Sequence, residues 1–139
     1  MKRQLFCSLA VLLIALCAVS ANAQSITHTM KGNVPFNFYV ADKVLPQGEY
    51  TVSTVGTAGM VVIAGPHGST FLFTHGALSS AEKNANELVF HRVNNEYFLV
   101  SIWAAGDLLG YELPRSRHEK ELVAQAGKPA ETVLLASAR

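Results

Sequence analysis

The sequence predicts an all-β domain, a small antiparallel sandwich or barrel of about seven or eight strands with one short helix near the C-terminus. Three observations carry that expectation. Apolar and polar residues alternate through many short runs. Turn signals separate these runs at roughly 8–12-residue spacing. Only one stretch has both the start and the stop signals of a helix.

The organising stretch is Asn33 to Val55. Val34, Phe36, Phe38 and Val40 alternate with Asn33, Pro35, Asn37 and Tyr39, the pattern of a strand with one buried face. The polar segment from Gln24 to Lys31, with Ile26 and Met30 as packing residues, runs straight into it. Leu45-Pro46-Gln47-Gly48 is a turn, because proline presets the backbone angle its position needs and glycine tolerates the fourth. Alternation resumes with Tyr50, Val52 and Thr54 on one face of a second strand.

Gly56 to Gly59 signals another turn, and Met60 to Ala64 is apolar on both faces, as in a strand covered on both sides. Gly65-Pro66-His67-Gly68 repeats the Pro-x-Gly turn. Ser69 to His75 follows, with Phe71 and Phe73 sharing one face. Gly76 to Asn86 reads as a surface connection; Ser79 and Glu82 have the spacing of a capping box for a single helical turn.

Leu88–Val93 and Glu96–Trp103 form a hairpin around Asn94-Asn95, since asparagine accepts the positive φ of a type I′ turn. That register sets Phe90 opposite Leu99, Arg92 opposite Tyr97, His91 opposite Phe98 and Val89 opposite Val100. Apolar residues on both faces place the hairpin centrally. A strand from Leu108 to Leu113 ends at Pro114. Ser116 and Glu119 then form a capping box, with Ser116 as N-cap and Glu119 reaching back. Leu122, Val123 and Ala126 make a short stripe, and Gly127 and Pro129 end a helix of about ten residues. Glu131 to Ala138 is a last strand.

The N-terminus reads as a signal peptide over residues 1–23. Lys2 and Arg3 precede an apolar run from Leu5 to Val19, and Ala21-Asn22-Ala23 is a cleavage pattern that leaves Gln24 as the new N-terminus. The run is short of the about 20 apolar residues a membrane span needs. Leu16 before Cys17 is too large for a lipidation site. Removing 23 of 139 residues leaves 116, enough for one domain over residues 24–139. The expected location is exported, in the periplasm or outside the cell.

Both cysteines, Cys7 and Cys17, depart with that leader, so the remaining chain offers no disulfide, thiolate nucleophile or Cys-ligated metal. Without Lys2 and Arg3 the 11 basic residues fall to 9 against 10 acidic ones, a net charge of about −1. Such a surface has no basic field to draw nucleic acid or an anionic membrane.

The pattern V-P-F-x-F-x-V followed by L-P-x-G-x-Y-x-V, with Leu88-Val89-Phe90-His91, Tyr97-Phe98-Leu99, Ser116-Arg117 and Glu119, covers most of residues 33–122. It resembles a group of small exported β-rich proteins that occur in many paralogous copies in acidobacterial-type genomes. The resemblance implies an exported β-rich domain with no established activity, and carries over no catalytic residue.

No catalytic constellation emerges from the residues, and no cofactor is implied. None of the five histidines (His28, His67, His75, His91, His118) pairs at metal-ligand spacing; His118 is followed by Leu122 where a HExxH motif needs a second histidine. Asp42 and Asp107 are the two aspartates, and no G-x-S-x-G elbow is present. Glu87 and Glu96 read as solvated strand ends. One cluster points to a contact: Arg115, Arg117 and His118 at the helix start, where backbone N–H groups and guanidinium groups suit an anion. Arg92 with Tyr97, and Trp103, are secondary contact candidates.

These readings predict a non-enzymatic exported domain that acts by binding in the cell envelope, its partner an unidentified protein. The alternative is a carrier for an apolar small molecule in a barrel pocket lined by Phe36, Phe38, Phe71, Phe73 and Phe90. An enzyme of unfamiliar type is the third reading.

Overall fold

The computed structural model describes residues 26–55 and 59–137. The expected signal peptide, its expected Ala23–Gln24 junction and most of the Gly56–Gly59 turn lie outside the described residues. Strands run in chain order as β1 (Ile26–Val34), β2 (Phe38–Val40), β3 (Lys43–Leu45), β4 (Gly48–Val55), β5 (Met60–Gly65) and β6 (Gly68–Phe73). They continue as β7 (His75–Leu78), β8 (Asn86–Val93), β9 (Glu96–Trp103) and β10 (Leu109–Glu112). Helix α1 (Arg117–Ala126) and strand β11 (Glu131–Ser137) close the chain.

Two sheets face one another as an open sandwich rather than a closed barrel. Sheet A has the order β1-β4-β5-β6, antiparallel throughout. Sheet B has the order β11-β8-β9-β10-β7, with β2 added parallel to β9 and β3 antiparallel to β2. Strand β1 lies against β11, so the two sheets also meet along one side. Among the described residues no helix is long and apolar enough to cross a membrane.

The organising stretch is real, but it is divided between the sheets. β1 begins at Ile26, as the polar lead-in suggested, and stops at Val34. Pro35 lacks the N–H a ladder requires, and the chain crosses to sheet B before β2 starts. What the alternation presents as one strand is therefore two, and Val34, Phe38 and Val40 are all buried because both halves face the same interior. A two-residue turn at Ala41-Asp42, with Ala41 at φ 51°, then forms the β2–β3 hairpin ahead of the expected Pro46-Gln47 turn.

Aromatic rings join the layers. Phe90 of sheet B is wholly buried and meets Phe36 and Phe38 edge-on at centroid distances of 5.2 and 5.5 Å. Phe38 in turn meets Tyr50 of sheet A edge-on at 5.1 Å, the geometry that aligns ring edges with ring faces. Tyr50 donates its hydroxyl to the carbonyl of Pro46 at 2.5 Å, so its one polar group is satisfied inside the core. Gly65 makes this possible, since a Cβ there would stand 2.2 Å from the Tyr50 ring.

Three further expectations change. Strand β5 buries one face fully, with Val61 and Ile63 inside and Met60, Val62 and Ala64 half-covered on the other. The segment from Gly76 is not all loop, because His75–Leu78 pairs with β10 as an edge strand; Ser79 accepts from the Ala81 N–H, and no helical turn forms. In the β8–β9 hairpin, Asn94 and Asn95 do take positive φ (49° and 66°), and Phe90–Leu99, His91–Phe98 and Arg92–Tyr97 pair as expected. An irregularity between Val89 and Phe90, however, moves Val89 opposite Ser101 instead of Val100. A bulge of this kind adds one residue to one strand and shifts the register beyond it.

Candidate functional site

Two regions hold the residues of interest: the start of α1, and the outer strand formed by β6 and β7.

Ser116, in extended conformation, accepts the Glu119 N–H at 2.9 Å and caps α1. The reciprocal half of the capping box is replaced. Instead of reaching back, the Glu119 carboxylate is buried and bonds Nδ1 of His91 on β8 at 2.7 Å, with Nε of Arg115 at 3.8 Å. The helix is thereby held on sheet B through a charge that would be costly to bury alone. Oδ1 of Asp42, from the β2–β3 turn, accepts the Arg117 N–H at 3.3 Å. Nε2 of His118 bonds Oε2 of Glu96 at 2.7 Å, and its ring lies 5.2 Å from that of Tyr39, which stacks on Phe98 at 4.8 Å. Burial, and then the hydrogen bond and charge of Glu96, raise the Tyr39 hydroxyl above its usual pKa of 10.

Arg115, Arg117 and His118 therefore do converge, within one turn of helix. The negative charge beside them comes from the chain's own Asp42, Glu96 and Glu119, which satisfy the helix start and the imidazole. The cluster acts as a clasp between α1, the β2–β3 hairpin and sheet B. His91, the partner of the buried Glu119 in that clasp, carried no sequence signal beyond being a polar residue in mid-hairpin. Its counterpart Glu119 was legible as a cap residue only.

The remaining polar candidates are dispersed. His28 stands 3.3 Å from Asp107, and His67 and His75 are exposed. Glu87 pairs with Lys83 at 3.2 Å, while Glu96, at the far end of the hairpin, is hydrogen-bonded to His118; both are half-buried rather than fully solvated. Lys83 lies over the Trp103 ring at 5.3 Å, and Arg92 over Tyr97 at 5.9 Å, with a second Arg92 contact to Glu131 at 3.5 Å. The Trp103 ring covers Gly110, where a Cβ would come within 2.4 Å.

The phenylalanines divide in the same way. Phe38 and Phe90 are buried and Phe36 is partly so, whereas Phe71 and Phe73 are 67% and 72% exposed. These five residues do not line one cavity. Phe71 and Phe73 lie on the outer face of sheet A, in register with Val62 and Met60 of β5.

The chain from Gly68 to Leu78 is the outermost strand of both sheets, β6 ending sheet A and β7 ending sheet B. Thr74 forms the corner, giving both its N–H (2.8 Å) and its hydroxyl (2.6 Å) to the carbonyl of Gly59. Lys43 spans the layers nearby, its Nζ 3.0 Å from Oγ1 of Thr70. Beyond the corner, Leu78 is 83% exposed and pairs with the exposed Leu109, beside the exposed Leu108. No Lys, Arg, Asp, Glu or Pro occurs from Gly68 to Leu78. Those are the residues that commonly guard a free strand edge. Large exposed apolar side chains beside an unguarded edge are characteristic of an interaction surface.

Comparison with known proteins finds no matching family model, no matching curated protein and no matching solved structure.

Proposed function

We propose that this chain is an exported, non-enzymatic β-sandwich that acts by binding a protein in the cell envelope, and that the outer strand Gly68–Leu78 is its contact surface. The observation that carries the proposal is the exposure of Phe71, Phe73 and Leu78 on a strand whose own residues include no Lys, Arg, Asp or Glu. Export rests on the ordered leader features ending at Ala23. The resemblance to the acidobacterial-type group likewise implies export. In this reading the Arg115–His118 cluster maintains the fold and supplies no chemistry to a substrate.

The test has two parts. The full-length gene is expressed in a Gram-negative host, and the intact mass of the envelope-fraction protein is measured; a chain beginning at Gln24 is expected, and an uncleaved cytoplasmic product refutes export. Chemical cross-linking in intact envelopes, followed by mass spectrometry, should then yield adducts on residues 68–78. Those adducts should disappear in a Phe71→Ser, Phe73→Ser double variant. Turnover of esters, glycosides or peptides that a single polar substitution abolishes would defeat the non-enzymatic assignment.

A further inference from the structure

We infer that a second copy of this chain occupies the β6 edge, the two copies pairing β6 with β6 antiparallel about a two-fold axis at Leu72. The inference rests on the reading of the outer strand as a contact surface and names its occupant.

The first support is the direction of the backbone groups. In an antiparallel ladder, successive residues of an edge strand point their N–H and C=O groups alternately toward the neighbour and away from it. Thr74 donates to Gly59 of the strand-β5 side. By alternation Leu72 and Thr70 also address β5, leaving the groups of Ser69, Phe71 and Phe73 directed outward. An incoming strand therefore bonds at Phe71 and Phe73.

The second support is the sequence of that strand. Thr70-Phe71-Leu72-Phe73-Thr74 reads the same in both directions. A symmetric dimer interface must be self-complementary, each residue meeting its counterpart across the axis. With the axis at Leu72, Phe71 of each copy lies opposite Phe73 of the other, and these are the two residues whose backbone groups face outward. Both aromatic pairs fall on the outer face, where such cross-strand pairs are favourable. Leu72 meets Leu72 and Thr70 meets Thr74 on the inner face. Gly68 and Gly76 extend the symmetry, which Ser69 and His75 alone interrupt.

Charge is the third support. An outside strand with a selective charge pattern would meet no complementary charge on residues 68–78, whereas an identical strand brings no charge of its own against Lys43, which is bonded to Thr70. The pairing would join two four-stranded sheets into one of eight strands, and its two-fold symmetry consumes both β6 edges.

Cysteine cross-linking tests the register. The exported protein is prepared with Cys7→Ser and Cys17→Ser, so that no native thiol contributes, and Leu72→Cys is added. A residue facing itself at a non-hydrogen-bonded position has its Cα atoms about 4.5 Å apart, within disulfide range. Leu72→Cys is expected to form a covalent dimer on mild oxidation, and Ser69→Cys, exposed but about six residues from its own copy's counterpart in this register, is not. Because Leu72 is half-buried, co-expressed Thr70→Cys and Thr74→Cys chains provide a second reading of the same register and should cross-link only with each other. Sedimentation of the parent protein should show a concentration-dependent dimer, and Phe71→Ser with Phe73→Ser should raise its dissociation constant at least about tenfold.

A parent protein that stays monomeric with no Leu72→Cys cross-link overturns the inference, as does a dimer that cross-links through Ser69→Cys instead. Capture of a different protein at Leu72→Cys also overturns it, while leaving the binding reading intact. Loss of envelope adducts on residues 68–78 would instead strike the binding reading itself, so the two failures are distinguishable.

Discussion

On one side of the sandwich β1 lies against β11, and these strands carry Lys31 and Glu131, the latter paired with Arg92. On the other side β6 and β7 follow one another as an outer strand without a formal charge, presenting Phe71, Phe73 and Leu78 to solvent. Both sides end in sheet edges, and an edge exposes unpaired backbone groups wherever nothing covers it. The first side is protected by a neighbouring strand and by charge. Among the described residues the second has no strand beyond it and no charge of its own, with Lys43 reaching it at Thr70, and it carries the exposed Phe71, Phe73 and Leu78. A difference of this kind separates a surface serving the fold from one available to a partner.

The phenylalanines provide the sharpest contrast and the largest expected effect. Phe90→Ala should destabilise the fold by about 3–5 kcal/mol, because it removes a fully buried ring that contacts Phe36 and Phe38. Phe73→Ala, measured at concentrations low enough to keep the protein monomeric, should change stability by less than about 0.5 kcal/mol. Urea denaturation of both variants checks the pair. Equal losses would mean that the outer ring packs into the fold and would erase the distinction.

Next is the clasp at α1. Glu119→Ala removes the acceptor from His91 and Arg115 and should cost about 2–3 kcal/mol, in the range for hydrogen bonds to charged groups. The same denaturation assay reads it. A dimer, if formed through β6, should keep its dissociation constant in this variant, since Glu119 holds His91 of sheet B and Arg115, whereas β6 belongs to sheet A. A weakened dimer would link the two regions.

Alkaline titration addresses the inner layer. Burial raises the Tyr50 pKa, and burial with the Glu96 carboxylate raises that of Tyr39. A raised tyrosine pKa means that the unfolded chain loses its proton first. The stabilising contribution is therefore complete below about pH 10 and falls as pH climbs through the folded-state values. Ultraviolet absorbance of tyrosinate should show Tyr39 and Tyr50 titrating late, together with falling stability above pH 10. Four tyrosines with one ordinary midpoint would contradict the packing of Tyr39 and Tyr50.

The smallest defined loss is expected at the cap. Ser116→Ala deletes the acceptor for the Glu119 N–H and should cost about 1 kcal/mol. Thermal unfolding measures it, and no loss would imply that Asp42 alone satisfies the helix start.

Much of this architecture was legible locally. Asn94-Asn95 specified its own turn, and most of the hairpin register followed from it. Ser116 and Gly127 delimited α1, with Gly127 at φ 62° as its C-terminal residue. The division of Val34–Val40 at Pro35 was less legible, since alternation continues through the crossing and both halves bury the same set. Nor did spacing disclose the irregularity at Val89–Phe90. For the candidate site, Arg115, Arg117 and His118 are near neighbours in the chain, while the partners Asp42, Glu96 and His91 come from distant parts of it. Their arrival depends on how sheet B is assembled.

Short-range physics explains what the chain determined by itself: turns by the backbone angles proline, glycine and asparagine accept, the helix by its cap and stop, strands by period-2 alternation. Alternation defines two faces for each strand and is symmetric between them. It placed Phe71 and Phe73 on a common face, exactly as it placed Phe36 and Phe38, and could not say which face would meet the other sheet. Tertiary structure made that choice. Once β6 had paired with β5, the face in line with Val61 and Ile63 turned inward, and the two phenylalanines beside Val62 and Met60 were left facing solvent.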